Sequence, residues 1–186
     1  MSKKDHILDV AEALFNLHGY TAVGVDLIRD KAEVSKTSMY RHFGSKTKLI
    51  EAVLDRRHKR FEVNLEGSLN EKSEIVDKLD ALISWHFQWF SEEDFHGCMF
   101  MHAMSEFKDS EGNITDLATS HKRWLKGLIK SVISENKTLT EEETEQRSEA
   151  VMTFVEGMIV RAEFGDISDF KQVYRLAIQM LAKTQF

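Results

Sequence analysis

The chain has 186 residues, of which 42% are hydrophobic, and a formal net charge of −6. These values suit one globular domain or two small ones. No apolar run approaches the roughly 20 residues of a membrane span, and the first residues lack the apolar segment of a signal peptide. We therefore expect a cytoplasmic protein. The single cysteine, Cys98, excludes an intrachain disulfide.

The absence of proline and of alternating strand patterns predicts an all-α fold. Apolar residues at helical spacing predict a helix over 4–17, which Gly19 ends. The spacing further predicts helices over Val25–Lys31, with Leu27 and Ile28 facing inward, and over Lys36–Phe43, with Ser35 as its N-cap. Three short helices, the last two joined by a three-residue turn, predict a helix-turn-helix unit.

The remaining chain predicts longer helices that form a bundle. A helix from Lys46 to about Glu66 is followed by a polar link at Gly67–Glu71. Further helices are predicted over Ser73–Phe90, over Gly97–Lys108, from Ile114 onwards, and from a capping box at Thr140–Glu143 to Gly165. Ser168 is predicted to cap a final helix.

Charge is unevenly distributed between the two parts. Residues 1–60 contain 12 Lys and Arg against 8 Asp and Glu, whereas 61–186 contain 13 against 23. The segment Val34–Leu49 has four Lys and Arg, one histidine and no acid. A basic segment in an acidic chain indicates a polyanionic partner, and nucleic acid is the commonest one.

The N-terminal motifs resemble the DNA-binding domain of the TetR family of transcriptional repressors. They are Ile7-x-x-x-Ala11-x-x-Leu14-Phe15, Gly19-Tyr20, Val34-Ser35-Lys36-x-Ser38-Met39-Tyr40-Arg41-His42-Phe43 and Ser45-Lys46-x-x-Leu49. Two positions depart from the family pattern: Glu33 stands where glycine is usual, and Gly24 where a hydroxyl is common. An L-residue at 33 either avoids a positive φ or is strained there.

The resemblance implies a DNA-binding domain over 1–48 and a helical ligand-binding and dimerisation domain over 49–186. It also implies a homodimeric repressor that a small effector releases from a palindromic operator in double-stranded DNA. Short side chains at the start of the third helix suit close approach to base edges, and basic side chains beyond them suit phosphates. The predicted DNA contacts are Thr21, Ser35, Lys36, Thr37, Ser38, Tyr40, Arg41, His42 and Lys46. The bases at 56, 57, 59 and 60 are interpreted as a solvated face.

Aromatic, methionine and histidine side chains recur in the second part. Such side chains either form an adaptable pocket for a small apolar or aromatic effector or are ordinary bundle core. The predicted effector contacts are Trp85, His86, Trp89, Met99, His102, Trp124 and Phe154. Small and apolar positions near the C-terminus predict a dimer interface, formed by Met152, Val155, Met158, Ile159, Ile178 and Leu181.

Other functions remain as alternatives. His96, Cys98 and His102 have metal-ligand spacing, although buried pocket side chains are the simpler interpretation. Cys98 near a helix start is a candidate redox sensor. Two further hypotheses are a cofactor-using helical-bundle enzyme and an interaction protein with a degenerate helix-turn-helix. No paired carboxylates or organised triad accompany the histidines, so we predict no catalytic residue, metal or cofactor.

Overall fold

A computed structural model describes residues 2–108, 113–165 and 171–183, without the side chains of 179 and 181–183. The predicted loop positions 109–112 and the predicted cap Ser168 lie outside the described residues. Within these ranges the chain is all-α, as predicted, and no strand is present. The helices are α1 (Lys3–His18), α2 (Val25–Lys31), α3 (Lys36–Phe43), α4 (Lys46–Asn70), α5 (Ile75–Phe90), α6 (Met99–Glu106), α7 (Ile114–Ile133), α8 (Glu141–Glu163) and α9 (Lys171–Lys183).

The helices belong to two compact units. The first comprises Met1–Lys59 and Cys98–His121, and the second Arg60–Gly97 and Lys122–Phe186. Residues of α4 and α7 therefore contribute to both units. The predicted boundary between a DNA-binding domain (1–48) and a ligand-binding and dimerisation domain (49–186) divides the chain by function, and it stays a prediction.

The first unit has an apolar core built by α1 to α4. Ile7, Ala11 and Phe15 recur every four residues on α1 and are fully buried, as the predicted amphipathic helix requires. Ser2 and Asp5 form a capping box that begins this helix, and Gly19 ends it with a φ of 78°. On α2, Ile28 is buried but Leu27 is 40% exposed, so the predicted inward position of Leu27 is wrong. One residue along a helix turns the side chain by about 100°, which moves it off the buried face.

The second unit is a bundle in which α5, α8 and α9 contact one another. The predicted link at Gly67–Glu71 is wrong because α4 continues to Asn70. Leu65 and Leu69, one turn apart, are both buried, and their packing outweighs the roughly 1 kcal/mol that a glycine costs inside a helix. The predicted capping box that begins α8 is confirmed: Thr140 Oγ1 accepts a hydrogen bond from the Glu143 amide.

The predicted start of α6 at Gly97 is two residues early. Gly97 has a φ of 87°, so it cannot be helical, and Cys98 occupies the N-cap position. A Cβ added at Gly97 would lie against the Glu163 carboxylate, so the close approach of that side chain also requires glycine. No helix among the described residues is both long and apolar enough to cross a membrane.

Candidate DNA-binding surface and effector site

Helix α3 begins at a side-chain cap and ends at a glycine. Ser35 Oγ accepts a hydrogen bond from the Ser38 amide at 3.1 Å, which satisfies one of the free amides at the helix start. Gly44 ends the helix with a φ of 75°. Met39 is buried and fixes one side of the helix against the core of the first unit. The cap and the buried methionine together fix which side chains face outward.

The outward side of α3 carries four of the nine predicted DNA contacts. Lys36, Thr37 and Arg41 are exposed, and Tyr40 is 44% exposed, which excludes it from the core. The Lys36 ammonium lies 3.8 Å from the Asp26 carboxylate of α2. Both groups of this pair are well exposed to solvent, so it contributes little binding energy, and a phosphate can compete for the lysine.

Two predicted contacts differ from the others in exposure. The Ser38 side chain is only 8% exposed, so its hydroxyl faces the protein interior. Its Oγ has no hydrogen-bond partner among the described residues, and the same holds for His42 Nε2. His42 is half-buried beside the Phe43 ring. Of these two residues, His42 is the more exposed.

The turn between α2 and α3 contains a strained residue. Glu33 has a φ of 52°, the left-handed conformation that favours glycine. Of the two outcomes expected for an L-residue at this position, the structure has the strained one, and the turn geometry is kept. The Val34 amide donates to the Arg29 carbonyl at 3.2 Å, which closes the turn.

Lys46 is the first residue of α4 and contacts the turn between α1 and α2. Its Nζ donates to the Thr21 carbonyl at 3.3 Å. Burial lowers the pKa of Lys46, and the nearby Glu106 carboxylate opposes that shift. A lysine at a helix start, beside free backbone amides, is suited to a phosphate.

Thr21, predicted as a DNA contact, is already hydrogen bonded in the structure. Its hydroxyl and its amide both donate to Glu106 Oε2 at 2.7 Å. Sequence reasoning missed Glu106, because no pattern relates a residue at the end of α6 to a turn so distant in sequence. A glutamate opposite a glycine-containing turn is recognisable only once the fold is known.

The bases on α4 also occupy unexpected environments. Arg56 and Arg57 were interpreted as solvated, but both pair with the buried Glu12 carboxylate of α1, each at 2.9 Å. Arg57 and Glu12 are each 6% exposed. The interpretation is wrong for these two residues because a buried carboxylate on α1 needs cationic partners. Lys59 pairs with Asp55 on the surface.

The predicted effector contacts are divided between the two units. In the first unit, Met99 is buried and His102 is half-buried on α6. In the second, Trp85 and Trp89 pack edge-on against Phe61, with ring centroids 4.9 and 5.1 Å apart. Trp124 Nε1 donates to Glu66 Oε1 at 3.0 Å.

His86 is a neutral, buried histidine at the centre of the second unit. Its pKa is lowered to about 4, mainly by burial and to a smaller extent by the charge of Lys122. The hydrogen bond between Nδ1 and the Leu82 carbonyl acts in the opposite direction and raises the pKa. The ring is flanked by Trp85, Trp89 and Phe90. A neutral imidazole among aromatic rings suits an apolar ligand with one polar group.

Two open clefts lie in the second unit. One, of about 460 Å³, includes Trp85 in its wall together with Asp77, Asp80 and Glu71. The other, of about 520 Å³, lies between α5 and the ends of α8 and α9 and includes Phe87, Phe90 and Lys171. Of the predicted effector contacts, Trp85 is the one that lines either of these two clefts.

The predicted dimer residues are mostly buried within the protomer. Val155, Met158, Ile159 and Ile178 are at most 2% exposed, and Met152 is half-buried. Leu181 lies in α9, but its side chain is outside the described residues. The exposed apolar side chains of α8 and α9 are different ones, namely Phe154, which was predicted as an effector contact, and Val173, Leu176 and Met180.

The alternative of a metal site at His96, Cys98 and His102 has no support in the structure. Among the described residues no group of three His, Cys, Asp or Glu side chains is placed to hold a metal ion. Cys98 is a free, buried thiol.

Comparisons with known proteins agree with the geometry of the first unit. A family model described as bacterial regulatory proteins, tetR family, matches residues 7–53. The HTH-type transcriptional activator FasR of Mycolicibacterium smegmatis is 34% identical over 95 residues, which are 51% of this chain and 43% of that protein. The A-factor receptor protein of Streptomyces griseus is 34% identical over 62 residues, 33% of this chain and 22% of that protein. The chain thus spans less than half the length of these two relatives.

Solved structures extend the likeness of fold to nearly the whole chain. A TetR-family transcriptional regulator from Streptomyces coelicolor has a TM-score of 0.89 at 18% identity, covering 97% of this chain and 94% of that one. The reduced form of NemR from Escherichia coli has a TM-score of 0.83 at 19% identity, covering 95% of each chain. The tetR family model thus matches the helices that carry the exposed bases, and the fold agrees with that of TetR-family regulators along nearly the whole chain.

Proposed function

We propose that the chain is a DNA-binding transcriptional regulator that reads its operator with α3. The observation that carries this proposal is the acid-free outward side of α3, where Lys36, Thr37, Tyr40 and Arg41 are exposed while Met39 anchors the opposite side. A helix of this kind fits the major groove, which displays a distinct pattern of donors and acceptors for each base pair.

The proposed contacts divide by chemistry. Lys36 and Thr37, near the helix start, contact base edges, whereas Tyr40 and Arg41 reach bases or nearby phosphates. Lys46 and His42 contact the phosphate backbone of the DNA. Ser35 acts mainly as the N-cap of α3, and the buried Ser38 side chain supports the helix from inside.

The regulator acts as a homodimer in this proposal. One helix-turn-helix reads only a few base pairs, and a two-fold dimer reads two half-sites about 34 Å apart in a palindrome. Val173, Leu176 and Met180 of α9 have exposed fractions of 58%, 52% and 66%. They recur at spacings of three and four residues, so they share one side of the helix. This apolar side is the proposed interface, in place of the buried residues that sequence reasoning selected.

The function includes response to a small apolar or aromatic effector. Trp85, His86 and Trp89 supply apolar surface and one neutral polar group in the second unit. The protein has one conformation that binds DNA tightly and another that binds DNA weakly. An effector that prefers the second conformation increases its population, and the protein then releases the operator. The relative from Streptomyces griseus is named as a receptor, which agrees with such a response.

Repression is the proposed direction of regulation, since a dimer bound across a promoter excludes polymerase. FasR is named as an activator, which is the opposite direction of regulation in that relative. A promoter–reporter assay with the selected operator distinguishes the two directions, because deletion of a repressor raises expression and deletion of an activator lowers it.

Selection of bound duplexes from a random pool tests the function as a whole. We expect enrichment of a palindrome whose half-site centres are about one helical turn apart. A second round with Lys36→Ala protein separates base reading from backbone attraction. Failure of the native chain to enrich any sequence would contradict the proposed function.

A further inference from the structure

The carboxylate of Glu106, the last residue of α6, accepts three hydrogen bonds from the turn between α1 and α2. The Tyr20 amide donates to Oε1 at 2.9 Å, while the Thr21 amide and hydroxyl both donate to Oε2 at 2.7 Å. We call these three bonds the carboxylate clamp. Hydrogen bonds to an ionised acceptor are about twice as strong as neutral ones, so the clamp is a strong attachment of this turn to α6.

The clamp depends on a glycine in the turn. Gly19 has a φ of 78°, and a Cβ added there would lie 2.9 Å from Glu106 Oε1. Any other residue at position 19 would therefore be strained and would also press on the carboxylate. The glycine that ends α1 thus serves a second purpose, the close approach of Glu106 to the backbone.

The same turn is attached to the other end of α6. The Tyr20 hydroxyl donates to the carbonyl of Met99, the first residue of that helix, at 2.9 Å. The Tyr20 ring is 1% exposed and packs against Phe15 and Phe107. The turn that leads into α2 is therefore fixed to both ends of α6 within the first unit.

The position of Glu106 is unfavourable for DNA binding on electrostatic grounds alone. Burial raises the pKa of Glu106, but the hydrogen bonds from Thr21 and Tyr20 lower it by more, so the group is ionised at neutral pH. Its charge acts on Lys46, the proposed phosphate contact, which also binds the Thr21 carbonyl. A carboxylate beside a phosphate-binding lysine weakens attraction to DNA. A structural role of Glu106 can offset this loss of attraction to DNA.

We propose that Glu106 is a positioning residue for operator recognition, which fixes the turn before α2 and thereby the placement of α2 and α3. The inference rests on the proposed function and extends it. Met99 and His102, two predicted effector contacts, lie on the same helix, and His102 interacts electrostatically with Glu106. A displacement of α6 is thus transmitted directly to the helix-turn-helix through the clamp.

The two effects of Glu106 give opposite signs when the charge is removed. Glu106→Gln replaces one acceptor oxygen with an NH₂ group, which cannot accept from the turn. If positioning dominates, affinity for the selected duplex falls about tenfold or more, while affinity for a random duplex changes little or rises. If only charge matters, affinity for both duplexes rises. Fluorescence anisotropy with both duplexes measures the difference.

The matched control is Glu93→Gln, the same change at an exposed position in the segment that follows α5. It alters net charge equally and leaves the clamp intact, so it is expected to bind both duplexes like the native chain. Equal or tighter binding of the selected duplex by Glu106→Gln would overturn the inference. Absence of any preference in the native chain would instead reject the proposed function.

A second pair of variants keeps the test valid if Glu106→Gln does not fold, as judged by circular dichroism. Thr21→Val removes one bond of the clamp, and Thr21→Ser keeps the hydroxyl. We expect Thr21→Val to lose affinity for the selected duplex, Thr21→Ser to retain more, and the Tyr20 and Thr21 amides to exchange faster with solvent deuterium in the valine variant. An equal loss on selected and random duplexes would identify Thr21 as a direct phosphate contact and overturn the positioning role.

Discussion

Arg57 of α4 and Glu12 of α1 form an ion pair inside the first unit, with Nη1 and Oε1 2.9 Å apart. Glu12 also accepts a hydrogen bond from Arg56, whose other amino group contacts Asp9. The pairs join α1 to the segment of α4 that follows the helix-turn-helix. Two of the four bases at 56, 57, 59 and 60 therefore have a structural role.

Replacing Glu12 by alanine should strongly destabilise the protein. The substitution leaves the buried guanidinium of Arg57 without this carboxylate, and breaking a buried pair in this way costs about 3–5 kcal/mol. Urea denaturation followed by circular dichroism measures the change. Asp55→Ala, which breaks an exposed pair with Lys59, is the control and should cost no more than about 1 kcal/mol. Similar losses in both variants would show that burial does not govern the pair.

Lys46→Ala and Lys36→Ala should affect DNA binding in different ways. Loss of the proposed phosphate contact at Lys46 should weaken binding to every sequence and reduce the salt slope by about 1. Loss of Lys36 should relax preference at one base position and leave affinity for random DNA closer to native. Anisotropy titrations at several salt concentrations provide both quantities. Parallel losses on specific and random duplexes in both variants would contradict the division.

The stability of the protein should fall as the pH decreases from about 6.5 to about 4. Burial lowers the pKa of His86 to about 4, below its ordinary value of 6.5, so in this interval the unfolded chain binds the proton that the folded chain excludes. The contribution of this group is on the order of 2–3 kcal/mol. His86→Phe should flatten that part of the pH profile, and His18→Phe, at an exposed position, should not. Identical profiles for native chain and His86→Phe would contradict a neutral, buried His86.

Charges placed on the exposed apolar side of α9 should dissociate the dimer. In the double variant Leu176→Asp and Met180→Asp, two carboxylates would be buried in the proposed interface at high cost. Analytical ultracentrifugation should then show monomers, and affinity for a palindromic duplex should fall. Gln172→Asp introduces a charge at an exposed polar position of the same helix and is the control. A dimer that persists in the double variant would place the interface elsewhere.

The N-terminal elements were predictable because their signals are local. Glycines and a serine cap mark the ends of the short helices, so α2 and α3 have the predicted bounds. The exposed side of α3 follows from its spacing as well. By contrast, α4 continues through Gly67 because Leu65 and Leu69 pack in the core. A glycine at that position in the sequence indicates a helix end, and the sequence does not show that packing overrides it.

The orientations of α8 and α9 were harder to predict because both helices have apolar residues on more than one side. Phe154 is partly exposed and its neighbour Val155 is fully buried, while Leu176 and Ile178 show the same contrast two residues apart. Composition alone assigns such residues equally well to a core, a pocket or an interface. Similarly, Glu12 and Glu106 have partners far along the chain, and single-sequence patterns do not encode such pairs.

The geometry at Gly19 has a consequence for how this chain can change over time. A side chain at position 19 and a carboxylate at position 106 compete for the same space, since the added Cβ would lie 2.9 Å from Oε1. A descendant that loses the glycine is therefore expected to lose the glutamate as well, and one that loses the glutamate is released from part of the requirement for glycine. The two positions should drift as a pair, although they lie in distant parts of the sequence.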